Sequence, residues 1–144
     1  MSKIVKINKK IENFKKIIVV PGDKSLSIRW VLFSSLANGK SKAKNLLLSE
    51  DVLAAIEAVK KLGVKVIIKK KECVIYGKGI EGYQYKKNLT IDAKNSGTLG
   101  RLILGLLVNS SNPISLIGDK SLSKRDFRRV SDPLSKFGAK FKLT

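Results

Sequence analysis

Histidine is absent from the 144 residues of this chain, and cysteine occurs once, at position 73. The first absence removes the commonest general base and the commonest metal ligand. With one thiol and no imidazole, neither a zinc site nor an internal disulfide is expected, and no metal or cofactor is called for. Cys73 stands in the alternating run ECVIYG and reads as a buried structural thiol, which fits a cytoplasmic location. Apolar runs are short. None reaches the roughly 18 residues of a membrane span, and the opening MSKIVKINKK lacks the apolar centre of a secretory signal. Acids are scarce too: 11 Asp and Glu stand against 30 Lys and Arg, a formal charge of +19. Such a field favours anionic partners, whether nucleic acid, an acidic membrane surface or small phosphorylated metabolites. Aromatics are only 6% and do not interleave with the basic clusters. A stacking platform for single strands is therefore missing, as are helix-turn-helix and zinc patterns, so a nucleic-acid module is the weaker reading. The adjacent acids Glu50 and Asp51 suit the first turn of a helix better than acid/base work.

What remains is a chain 43% hydrophobic, long enough for a real core. Alternation or short apolar runs predict strands at 4–7, 16–20, 43–48, 64–68, 73–76, 89–92, 114–117 and 139–143. Helices are predicted at 25–37, ending at Asn38-Gly39; at 50–62, capped by Ser49 and ending at Gly63; at about 97–108; and at about 126–137, ending at Gly138. Pro133 argues for a kink or a later start in the last of these. The halves repeat. A shift of 75 lays Asp51 on Asp126 and KKLGVKV (60–66) on SKFGAKF (135–141), and a shift of 72 lays Ser25 on Gly97 and Arg29 on Arg101. Each copy reads strand, turn, helix, strand, helix, strand, and the second breaks off at Thr144, which predicts an exposed sheet edge covered by further polypeptide or a partner.

The octapeptide GDKSLSxR occurs at 22–29 and again at 118–125, out of step with the longer repeat. It suits anion binding. A helix N-terminus offers free N–H groups and partial positive charge, Ser25 adds a hydroxyl, and Lys24 and Arg29 add two cations. Ser25 and Arg29 are four apart and so share a helix face. Taken singly, Ser25 would be a helix cap and Lys24 a surface lysine. Their cluster within one turn after Gly22 favours a site, although the Walker A spacing is absent. KNSGTLGR at 94–101 puts Asn95, Ser96, Gly97 and Thr98 at another helix start, where Gly97 would let a ligand approach the backbone. The alternative there is an ordinary capped turn.

VPGDKSLSIR, KNSGTLGR and GDKSLSKR, in this order, resemble three motifs of the enolpyruvylshikimate-phosphate synthases, and NLLLSEDVLAAIEAVKKLGVKV resembles the stretch after that family's first helix. The likeness runs from about residue 18 to 144. It implies an α/β (α+β) fold of repeated strand-helix-strand-helix-strand units of the enolpyruvyl transferase type, half of an inverse barrel. Residues 1–20 would hold initial strands at a domain crossover; 21–144 would form a partial N-terminal domain of units 21–93 and 94–144, the second incomplete. It also implies transfer of the enolpyruvyl group of phosphoenolpyruvate to shikimate 3-phosphate, in aromatic amino acid biosynthesis. By the same resemblance Lys24 contacts both substrates, Ser25 and Arg29 hold shikimate 3-phosphate, Gly97 and Arg125 hold phosphoenolpyruvate, and Asn95, Thr98 and Arg101 support the loop. The family's acid and base would lie beyond Thr144, so no catalytic residue is named and the chain alone is expected to be inactive without the C-terminal portion.

Ile28, Gly100 and Asp126 depart from the family's pattern, and Asp126 is placed where it could pair with Arg125. The UDP-N-acetylglucosamine enolpyruvyl transferases are the sister alternative. They carry Asn and a reactive Cys where this chain has Ser25 and Lys120. A non-catalytic, truncated anion-binding relative is the other.

Overall fold

The computed structural model describes residues 4–10, 12–70 and 72–142. Among the described residues, four helices and five strands form in the order α1 (Lys24–Leu36), β1 (Asn38–Lys44), α2 (Glu50–Lys61), β2 (Lys65–Lys69), β3 (Glu72–Lys78), β4 (Leu89–Asp92), α3 (Gly97–Leu106), β5 (Ile114–Ile117) and α4 (Arg128–Lys136). A 3₁₀ turn, Leu122–Lys124, precedes α4. β3 is the centre of an antiparallel sheet of order β1-β3-β2, and β4 and β5 form a separate parallel pair. α1, α2 and α3 share one core with these strands, in which Ile28, Val52, Ile56, Ile75, Ile91 and Leu99 are all but inaccessible to solvent. Each such side chain contributes roughly 1.5–3 kcal/mol by leaving water.

Helix boundaries follow local chemistry. α1 is capped by Asp23, whose side chain accepts from Leu26 N at 2.7 Å, and not by Ser25, which lies two residues too late. Ser49 occupies the cap position of α2, yet its hydroxyl makes no cap bond and is buried without a partner among the described residues. Glu50 and Asp51 supply the first-turn negative charge there instead. Gly63 and Gly138 follow α2 and α4 at φ +85° and +95°, the left-handed geometry the predicted stops require. The last helix starts at Arg128, two residues later than predicted, with Pro133 inside it.

The strands diverge more. No strand forms at 4–7 or 16–20, where Ile7, Ile17 and Val19 are exposed, because alternation assigns faces to side chains but supplies no ladder partner. At 139–142 there is no strand either, and residue 143 lies outside the described residues. The strand predicted at 43–48 is displaced to Asn38–Lys44. Asn45, at φ +57°, ends it before the leucines. Its half-buried positions are the small residues Ser41 and Ala43, so the inward face carries no apolar signal. Register is set by β3, with Ser41 opposite Ile75 and Ala43 opposite Cys73. Cys73 is buried as expected, and burial pushes its thiol pKa up.

The β4–α3–β5 unit brings the later motifs together. Leu89 through Asp92 pair in parallel with Ile114 through Ile117, and the ladder continues as Ala93 N donates to Ile117 O and Asp119 N to Lys94 O, both at 2.8 Å. Parallel strands end on the same side. KNSG after β4 and GDKSLSKR after β5 therefore emerge side by side.

Candidate functional site

Lys24 opens α1, and its ammonium lies 2.9 Å from Asp51 Oδ2 in the first turn of α2. The contact joins the N-termini of two helices. Because Lys24 is half exposed, such a pair is worth roughly 0–1 kcal/mol, little enough for another anion to compete for it. Ser25 is half-buried, and Arg29 is exposed with no ion pair or hydrogen bond among the described residues. Ser27, not singled out in the sequence, ties the segment down: its hydroxyl donates to Asp23 O at 2.6 Å and accepts from Leu47 N at 3.1 Å.

The second cluster is tighter. Ser96 caps α3, accepting from Leu99 N at 3.3 Å. Beside that helix start, Arg125 Nη2 donates to Asn95 Oδ1 at 3.2 Å, and Arg101 donates from Nη1 to Gly97 O at 3.4 Å and from Nη2 to Asp126 O at 3.2 Å. A Cβ on Gly97 would sit 2.7 Å from Arg125 Nη1 and 2.9 Å from Arg101 Nη1. Two guanidinium groups thus converge on the space that only a glycine leaves free, beside the positive end of a helix. Arg101 is further held over the Phe127 ring, its guanidinium carbon 5.4 Å from the centroid, and Phe127 packs against Gly100, where a Cβ would come within 3.1 Å of it. The unusual Gly100 is explained by that contact. Thr98 is half-buried without a side-chain hydrogen bond among the described residues.

Asp126 does not pair with Arg125 among the described residues. Its carboxylate accepts from Arg128 N at 2.8 Å, tying down the start of α4, while its carbonyl serves Arg101. Lys94, just before Asn95, bonds Asp92 at 2.8 Å. That hydrogen bond holds the Asp92 carboxyl below the usual range and raises the Lys94 ammonium, to which the charge of Glu50 adds.

Two contributors were missed in the sequence: Asp51 as the partner of Lys24, and Asp119, which accepts from Asn95 Nδ2 at 2.6 Å and from Leu122 N at 2.7 Å. A signal for Asp119 existed. It occupies in the second octapeptide the position that caps a helix in the first. Among the described residues no group of His, Cys, Asp and Glu suits a metal ion, and no helix is long and apolar enough to cross a membrane.

Comparison with known proteins carries the identification. The family model for EPSP synthase (3-phosphoshikimate 1-carboxyvinyltransferase) matches residues 8–144. A 3-phosphoshikimate 1-carboxyvinyltransferase of Bacillus cytotoxicus is 46% identical over 122 residues, 85% of this chain and 28% of the relative. One of Sulfurihydrogenibium sp. is 44% identical over 140 residues, 97% of this chain and 32% of the relative. The chain thus spans about a third or less of the length of the curated relatives it matches. Among solved structures, EPSP synthase from Acinetobacter baumannii superposes with a TM-score of 0.82 at 36% identity, over 88% of this chain and 28% of that one. The mixed helix and strand architecture is accordingly that of part of an enolpyruvyl transferase domain, and with a match over nearly its whole length the chain belongs to the EPSP synthase family.

Proposed function

We propose that the chain is the N-terminal, substrate-holding part of a carboxyvinyl transferase that joins the enolpyruvyl group of phosphoenolpyruvate to shikimate 3-phosphate and releases phosphate. The observation that carries this is the pair of guanidinium nitrogens, from Arg125 and Arg101, 2.7 and 2.9 Å from the point where a Gly97 side chain would begin. An oxyanion with its charge spread over several oxygens suits the Arg125 fork and a helix N-terminus, while Arg101, anchored to Gly97 O and Asp126 O, walls the gap. Gly97 and Arg125 then take phosphoenolpyruvate, with Asn95, Thr98 and Arg101 shaping the loop. Lys24, Ser25 and Arg29 take shikimate 3-phosphate, with Lys24 leaving Asp51 to reach both ligands.

Residues 21–93 and 94–144 act as two repeat units of one domain in this reading, and residues 1–20 as a crossover segment. The acid and base come from polypeptide beyond this chain. The +19 charge serves small anions in the cytoplasm, not nucleic acid or a membrane. Calorimetry with phosphoenolpyruvate and shikimate 3-phosphate tests the binding. Gly97→Ala and Arg125→Ala should each weaken phosphoenolpyruvate binding while the fold persists, and equal affinity in all three proteins would refute the site. Phosphate release should be absent with the chain alone and appear only when the C-terminal two thirds of a relative is added.

A further inference from the structure

Asp119 has no part in the ligand contacts proposed above, yet its two carboxylate oxygens do different work. Oδ1 accepts from Leu122 N at 2.7 Å and caps the 3₁₀ turn. Oδ2 accepts from Asn95 Nδ2 at 2.6 Å, across from the neighbouring strand end. An Asn amide has a donor end and an acceptor end, a carboxylate only accepts, and a guanidinium only donates. With its NH₂ held by Asp119, Asn95 must turn its oxygen to Arg125, and Arg125 Nη2 donates to that oxygen at 3.2 Å. Remove the carboxylate, and the amide can turn its N–H groups towards a cation that has no acceptor. The arrangement stays ionised: the hydrogen bond from Asn95, then that from Leu122 N, holds the Asp119 carboxyl below the ordinary range. In the first octapeptide the Asp23 carboxylate makes only the capping bond, to Leu26 N, among the described residues.

We propose that Asp119 is a positioning residue for phosphoenolpyruvate, holding the Arg125 guanidinium over Gly97 by fixing the orientation of the Asn95 amide. This rests on the reading that Gly97 and Arg125 bind that ligand. The test compares Asp119→Ala, Asp119→Asn and Asn95→Ala in the 144-residue chain, with phosphoenolpyruvate as the calorimetric probe and the guanidinium resonances of ¹⁵N-arginine protein as a ligand-free readout. Asp119→Ala should weaken binding about tenfold. Asp119→Asn, which keeps an acceptor oxygen, should restore most of it. Asn95→Ala leaves the Leu122 cap intact and should reproduce the loss, and in an Arg125→Ala background Asp119→Ala should cost nothing more. A capping role alone would lower the melting temperature of Asp119→Ala, leave Asn95→Ala at wild-type affinity, and overturn the proposal. If the wild-type chain does not bind phosphoenolpyruvate, the binding reading falls, and the arginine signals decide the positioning separately. Hindered rotation of the Arg125 guanidinium in the wild type, lost in Asp119→Ala and Asn95→Ala, supports it; hindered rotation kept in both overturns it. Should Asp119→Ala fail to fold, Asn95→Ala carries both readouts.

Discussion

The octapeptide at 22–29 and its near copy at 118–125 make the same turn and then part company. In each, the Asp carboxylate accepts from the N–H three residues on, at 2.7 Å in both copies. In each, the second Ser donates its hydroxyl back to the Asp carbonyl, at 2.6 Å from Ser27 and 2.9 Å from Ser123. After that Ser the first copy has Ile28, fully buried, and α1 runs for 13 residues. The second has Lys124, exposed, and the turn stops after 3 residues, with Arg125 already extended at ψ 141°. Local hydrogen bonding starts both helices, and burial decides which continues. The consequence reaches the site. Arg29 stays on a helix surface, whereas Arg125 swings clear and reaches Asn95.

The largest effect should come from making the first copy resemble the second. Ile28→Lys places a charge where solvent exposure is 0% and should cost about 4 kcal/mol or more, read as a lowered urea midpoint or outright unfolding. Lys124→Ile, the reverse exchange at an exposed position, should shift stability by less than about 0.5 kcal/mol. Next come the lysines that share the third place of each octapeptide. Lys24→Ala should weaken shikimate 3-phosphate binding by about 1.5–3 kcal/mol, the worth of a charge-assisted hydrogen bond, while Lys120→Ala leaves it unchanged. Equal losses by calorimetry would mean that only the general positive field is at work.

Smaller still is the cap. Asp23→Ala should cost about 1 kcal/mol because it caps a full helix, and Asp119→Ala less than that, both read from thermal melts. The smallest effect is in pH. Asp119 has a folded pKa below its unfolded value, so its stabilising contribution is complete above the ordinary aspartate range near 4 and is lost as pH falls below it through the folded value. Acid titrations should therefore show the wild type losing slightly more stability below about pH 4 than Asp119→Asn, and a carboxyl resonance of Asp119 titrating below that of free aspartate.

Much of this is legible in the sequence itself. Periodicity placed all four helices within a few residues, and the glycine stops at 63 and 138 follow from chemistry confined to one turn. Strands were read well where apolar residues face the core, as in Cys73 and Ile75 of β3. They were misread where a ladder partner, not a side-chain pattern, decides. β1 is a lysine-rich strand because β3 pairs with it, and the apolar runs at 4–7 and 16–20 have no such partner among the described residues.

The site divides along the same line. Sequence alone determined which residues carry charge, which turns offer free N–H groups, and where a glycine leaves the backbone open, since each depends on a few consecutive residues. It could not say that Lys24 meets Asp51, that Asp126 serves α4 and not Arg125, or that Asp119 reaches Asn95. Those pairings join residues up to 27 or so positions apart, or choose between neighbours that local geometry leaves equivalent. The parallel ladder of β4 and β5 decided the last of them, because it brings two turns from different parts of the chain to the same end of one sheet.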